Sequence, residues 1–166
     1  STKNIIPQNI IFGASTTIAT YIIPTIIAHF QMKFPQTSFD IKSANSEQIE
    51  DEILNQKLDF GIIEGKNTNR KLQYKKFIKD EIILVTNSKN KIIKKDFITL
   101  QNLLELPIIT REIGSGTRDI ITDALQEKGI NKLNSVITLN STEAIKNYLK
   151  HSNHFAFISI SAVSED

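Results

Sequence analysis

The residues best placed to do chemistry stand together between Thr110 and Arg118, where a Gly114-Ser115-Gly116-Thr117 turn separates an apolar run from an amphipathic one. Three chemistries use such a turn, and each needs a spacing that is absent. A phosphate-cradling P-loop carries Lys and then Ser or Thr after its second glycine, whereas Gly116 is followed by Thr117-Arg118. A dinucleotide fingerprint puts a third glycine at the position of Asp119. The serine of an esterase elbow has glycines two residues away on both sides, where Ser115 has Ile113 and Thr117. What remains is a backbone that can approach a ligand closely and hydroxyls on a first helical turn. There, unpaired N–H groups meet either a capping side chain or an anion. Capping explains any one such turn. The device recurs, however, at Ser15-Thr16-Thr17, Asn45-Ser46 and Asn140-Ser141-Thr142, each between a strand's end and a helix's start. The repetition favours a small-anion site over capping alone.

The remaining inventory is thin. His29 falls within a helix and His151 and His154 near a turn, with no third ligand at metal spacing, so no metal is expected. Glu64 and Glu112 end strands, and Arg111 and Arg118 flank the turn. Either arginine suits a two-point pair with a ligand carboxylate, or surface pairing with Asp119 or Asp123. No nucleophile has an adjacent base, so neither a catalytic residue nor a cofactor is expected. The absence of cysteine excludes disulfides and thiolate metal sites and fits a reducing compartment.

These groups need a scaffold. Forty per cent hydrophobic and 23% charged residues describe a globular chain, and thirty isoleucines suit buried parallel strands. Strand patterns at "NIIFGAS", "TSFDIKSA", "LDFGIIEG", "KFIKDEIILVTNS", "LPIITRE", "SVITLN" and "FAFISIS" alternate with helical ones. The alternation predicts an α/β fold with mostly parallel sheets, whose carboxyl edge gathers the hydroxyl-rich junctions. The first helix carries a stripe of Ile18, Ile22, Ile26 and Phe30, with Pro24 expected to kink it. The helix after the glycine turn is expected to bury Ile120, Ile121, Ala124 and Leu125 and to end at Gly129. Residues 66–95 hold ten Lys or Arg against Asp80 and Glu81, read as a solvated strand edge and loop rather than a nucleic-acid surface. The longest apolar run, Tyr21 to Ala28, is far short of the roughly 20 residues that span a bilayer. No signal peptide is visible.

In order and spacing, "IIFGASTTIATYIIPTIIAHFQMKFPQTSFDI", "LDFGIIEG", "REIGSGTRDIITDALQEKGI" and "NSTEAIKNYLKHSNHFAFISISAV" resemble the effector-binding domain of bacterial LysR-type transcriptional regulators over nearly the whole chain. The resemblance implies the fold of type 2 periplasmic binding proteins, two lobes with a ligand cleft between them. Lobe one would take residues 1–77 plus 157–166, incomplete at its C-terminal end, and lobe two residues 78–156. Crossing segments would fall near Lys76 to Lys79 and His154 to Phe157. A small, anionic effector would meet Ser15, Thr16, Thr17, Asn45, Ser46, Thr110, Ser115, Gly116, Thr117 and Phe157. The family implies a cytoplasmic homodimer, with a tetramer in the full-length protein. The first helix would pack against the helix from Arg118 to Lys128, using Tyr21, Ile23 and Ile27. DNA would be reached only through a winged helix-turn-helix that this chain lacks. Where the family shows Gly-x-Gly and then Pro around the last strand, this chain has Ser152, His154 and Ser159. Two other functions fit the same fold, a transport-type solute-binding protein and an enzyme such as a prephenate dehydratase. The latter also uses a Thr-Arg element, but here Thr117-Arg118 begins a helix with no general acid or base at hand.

Overall fold

A computed structural model describes residues 8–91 and 98–163. The chain divides into two compact units, Ser1–Ile78 and Lys79–Asp166, each described by itself.

The first unit contains β1 (Gln8–Ser15), α1 (Thr16–Tyr21), α2 (Ile23–Lys33), β2 (Thr37–Ala44), α3 (Ser46–Leu54) and β3 (Gly61–Ile62). Its three strands lie in the order β2-β1-β3, all parallel, so the ends of β1 and β2, Ser15 and Ala44, fall opposite one another. Phe12, Ala14, Ile18 and Ile23 form its core, with Phe12 stacked on Phe60 at 5.0 Å. The helix expected to kink at Pro24 breaks at Ile22 instead, and Pro24 sits in the first turn of α2, where its missing N–H costs nothing. The break turns the buried side. Ile23 is buried, whereas Ile26 and Phe30 of the expected stripe are exposed. On the other face of the sheet α3 lies close, because Gly13 and Gly61 leave room for it. A Cβ on Gly61 would stand 2.6 Å from Ile49 Cγ2.

The strand expected from "LDFGIIEG" shortens to Gly61–Ile62, and residues 63–81 form neither helix nor strand. Of the lysine-rich stretch 66–95, residues 66–81 are loop and Ile82–Thr86 a strand at a sheet edge, while Lys94 and Lys95 lie outside the described residues. Tyr74 anchors the loop, its hydroxyl donating to the Glu50 carboxylate on α3 and accepting from the Asn69 N–H. Partial burial, and after it the bond to Glu50, hold the Tyr74 phenol above the ordinary tyrosine value.

The second unit contains β4 (Ile82–Thr86), α4 (Leu100–Glu105), β5 (Ile108–Arg111), α5 (Gly116–Glu127), β6 (Ser135–Leu139), α6 (Thr142–Leu149) and β7 (Phe155–Ser159). The strand order is β4-β7-β5-β6, with β7 antiparallel to β4 and parallel to β5. The sequence reading placed the chain from Phe157 onward in lobe one and a crossing segment at His154 to Phe157. The structure instead places Phe155–Ser159 inside the second sheet. Phe155, Ala156 and Ile158 are buried there, and a strand apolar on both faces needs neighbours on both sides.

The departures from the family pattern have structural roles. Ser159 Oγ donates to Asp80 at 2.6 Å and accepts the Ser161 N–H at 3.1 Å, tying the start of this unit to its last strand. Ser152 Oγ accepts the His154 N–H, and the His154 ring bonds Tyr148 Oη at 3.0 Å, shaping the turn before β7. On α5 the inner face is Thr117, Ile121 and Leu125, one set at i, i+4, i+8. Ile120 and Ala124, expected inside, are exposed. Gly129 closes the helix at φ 80°, a left-handed conformation that favours glycine.

Candidate functional site

Ser15 ends β1 in extended backbone at the N-cap position of α1, yet its side chain makes no capping bond. The residue is 2% exposed and its hydroxyl has no hydrogen-bond partner among the described residues, a costly condition for a buried polar atom. Thr17 is buried beside it, and Thr20 Oγ1 donates back to the Thr16 carbonyl at 2.8 Å. Asn45 and Ser46 behave differently. Asn45 forms a reciprocal capping box with Gln48, at 2.9 and 3.1 Å. Ser46 Oγ donates to the Glu64 carbonyl at 2.6 Å, fixing the start of α3 to the segment after β3. These three bonds are structural, whereas Ser15 retains unused capacity.

In the second unit β5 delivers Thr110 and Arg111, and Gly114 at φ 98° turns the chain into α5. Ser115 Oγ caps that helix by accepting the Arg118 N–H at 3.2 Å. Arg111 is buried and makes a two-point pair with Glu112, Nε to Oε1 at 2.8 Å and Nη2 to Oε2 at 3.2 Å. Arg118 Nη1 donates to the Arg111 carbonyl. Thr110, Thr117 and Phe157 line one cavity of about 280 Å³ within this unit, while Ser115 and Gly116 are not among its walls. The fourth hydroxyl-rich start, Ser141, caps α6 through the Ala144 N–H at 3.0 Å.

Two hydroxyls escaped the sequence reading. Thr110 Oγ1 lies 2.7 Å from Ser135 Oγ and 3.2 Å from Thr138 Oγ1, both on β6. Strand alternation puts residues three apart on opposite faces. Ile108 pairs with Ser135 but Ile109 with Ile137, so Val136 is an extra residue that restores Ser135 and Thr138 to one face. Nothing in "SVITL" signals that bulge.

Among the described residues no group of three or more His, Cys, Asp or Glu could hold a metal ion. No described helix is long and apolar enough to cross a membrane.

A probable RuBisCO transcriptional regulator of Cyanidium caldarium is 31% identical to this chain over 169 residues, covering 99% of the chain and 53% of that protein. The HTH-type transcriptional regulator CysL of Bacillus subtilis is 27% identical over 154 residues, covering 93% and 51%. The chain thus spans about half the length of the curated relatives it matches. The regulatory domain of CcmR from Synechocystis PCC6803, solved in complex with 2-PG, matches with a TM-score of 0.84 at 23% identity, covering 96% of this chain and 76% of that one. That likeness shows the shared fold, the α/β architecture of LysR effector-binding domains expected from the sequence. The family is one of regulatory substrate-binding domains and not of enzymes. The family model for the LysR substrate binding domain matches residues 8–166, and the chain belongs to that family.

Proposed function

We propose that this chain is the ligand-sensing part of a cytoplasmic transcription regulator that binds a small anionic effector through its hydroxyl-bearing helix starts. DNA is reached through a helix-turn-helix elsewhere in the full-length protein, by analogy with the HTH-type regulator CysL. The observation that carries the effector reading is Ser15 Oγ, buried without a partner at the carboxyl edge of a parallel sheet. Such an atom recovers a full hydrogen bond when a ligand oxygen arrives. Thr16 and Thr17 supplement it in the first unit, and Thr110 and Thr117 are the candidate hydroxyls of the second. Asn45 and Ser46 in the first unit, and Ser115, Gly116 and Phe157 in the second, shape their surroundings rather than supply the main bonds. The complex of CcmR with 2-PG supports a small ligand and supplies a first probe.

Titration with 2-PG and with inorganic phosphate tests this directly. A ligand at a hundred times its dissociation constant should stabilise the fold by about 2.7 kcal/mol. Ser15→Ala and Thr117→Ala should each weaken binding about tenfold or more, since a hydrogen bond to a charged group contributes roughly 1.5–3 kcal/mol. Unchanged affinity in both variants would remove these residues from the site.

Self-association is part of the proposal. On α2 and just after it, Ile26, Phe30 and Phe34 are exposed, with the two phenylalanine rings 4.8 Å apart, and on α5 Ile120 is exposed. These, rather than the buried Ile23, are the side chains for a two-fold dimer. Sedimentation should show a dimer that Ile26→Glu shifts toward monomer. A wild-type chain that stays monomeric at high concentration would contradict it.

A further inference from the structure

We infer that the cavity between β5 and α5 in the second unit is a binding site for a small amphipathic acid, a single carboxylate on a compact hydrocarbon body. The inference rests on the effector function proposed above and names the chemical class of its ligand. At about 280 Å³ the cavity lies near the lower limit of ligand pockets, roughly 300 Å³, which suits one ring or a short branched chain. Its walls are mixed, with a continuous apolar part. Ile108 and Ile109 come from β5, Ile121 and Leu125 from the inner face of α5, and Ile130 and Leu133 from the connection to β6. A phosphate or other fully polar anion would leave that surface unused, so the lining calls for carbon.

The charge of the lining is one-sided. Arg111, Arg118 and Lys132 contribute to it, and no Asp or Glu does. Arg111 is already neutralised by Glu112, so Arg118, on the first turn of α5, and the exposed Lys132 set the local field. Ser135 adds a hydroxyl beside Thr110, able to receive a ligand hydroxyl or the second carboxylate oxygen. A cavity that combines an apolar wall with cations and hydroxyls, and has no carboxylate in its lining, discriminates a carboxylate from its neutral amide.

The experiment uses methyl-resolved NMR of isoleucine-labelled protein with cyclohexanecarboxylate, cyclohexanecarboxamide and inorganic phosphate as probes. The acid is expected to shift the methyl signals of Ile108, Ile109, Ile121 and Ile130 saturably and to leave Ile11 and Ile49 of the first unit unmoved. The amide should bind about tenfold more weakly, as should the acid to Arg118→Gln or Lys132→Ala. Ile121→Trp should fill the chamber and abolish the shifts; the two charge variants keep the test valid should that protein not fold. Cavity methyls unmoved by the acid, or moved equally by the amide, would overturn the inference. So would shifts that follow protein concentration alone, the mark of a groove filled by a second copy. Phosphate bound in a Ser15-dependent way, with the cavity methyls unmoved by the acid, would overturn it while leaving the effector proposal standing. Cavity binding by the acid, with Ser15→Ala affecting no anion, would support the cavity and defeat the Ser15 site.

Discussion

Phe155→Ala is expected to lower the unfolding free energy by about 3–5 kcal/mol, the largest effect of any single truncation considered for this chain. The side chain is 1% exposed and packs with Leu103, Leu106 and Ile108 in the core of the second unit. Its backbone is equally committed. Phe155 donates its N–H to the Pro107 carbonyl at 2.9 Å, and β7 lies between β4 and β5. Removing the ring leaves a void lined on several sides, which a sheet interior cannot collapse to fill. Urea denaturation measures the loss, and hydrogen exchange locates it. Amides of β4 and β5 should lose protection while those of β1 and β2 keep theirs. Loss of protection in β1 and β2 alone would argue against the place of β7 in the second sheet.

The second large effect concerns the contact of α3 with its sheet. Ile49 is fully buried, and Ile49→Ala is expected to destabilise by about 2–5 kcal/mol. Gly61→Ala is expected to cost about 1–3 kcal/mol for the opposite reason. The new methyl would meet Ile49 Cγ2 at 2.6 Å and the Gly13 carbonyl at 3.2 Å, and a β-branched side chain on a helix has little freedom to turn away. Together the two changes should cost less than their sum by roughly 0.5–3 kcal/mol, because the smaller residue 49 accepts the added methyl. A double-mutant cycle in urea measures that difference. Strict additivity would mean that the Gly13 carbonyl, not Ile49, is what excludes a side chain at position 61.

The alternation of strand and helix was legible because each element carries its own period. β1, β2 and β5 reproduce the apolar runs, and the starts of α3, α5 and α6 fall where Asn45, Ser115 and Ser141 predicted. Which face a helix buries was less legible. Ile120 and Ile121 are equally apolar neighbours, and only the packing of α5 decides that Ile121 turns inward. The placement of β7 was hidden for a similar reason, since "FAFIS" states that a strand is buried but not between which partners. Within the site, the sequence marked hydroxyls at helix starts without separating those used as caps, such as Ser115, from Ser15, whose hydroxyl is left over. That separation depends on side-chain geometry. The trio of Thr110, Ser135 and Thr138 depends on the bulge at Val136, which no residue type announces.

The antiparallel pairing of β4 with β7 has a consequence for synthesis. Ile82 at the start of the second unit pairs with Ser159 at its end, and the strand between β4 and β5 is the last to be made. As the chain leaves the ribosome, β1 meets β2 after a single intervening pair of helices. The second unit, in contrast, holds β4 and β5 without the strand that joins them until residues 155–159 emerge. Pairings so distant along the chain close slowly, and exposed strand edges in the interval invite association with other nascent chains. Interruption of synthesis before Phe155 should therefore leave the first unit able to fold and the second unable to.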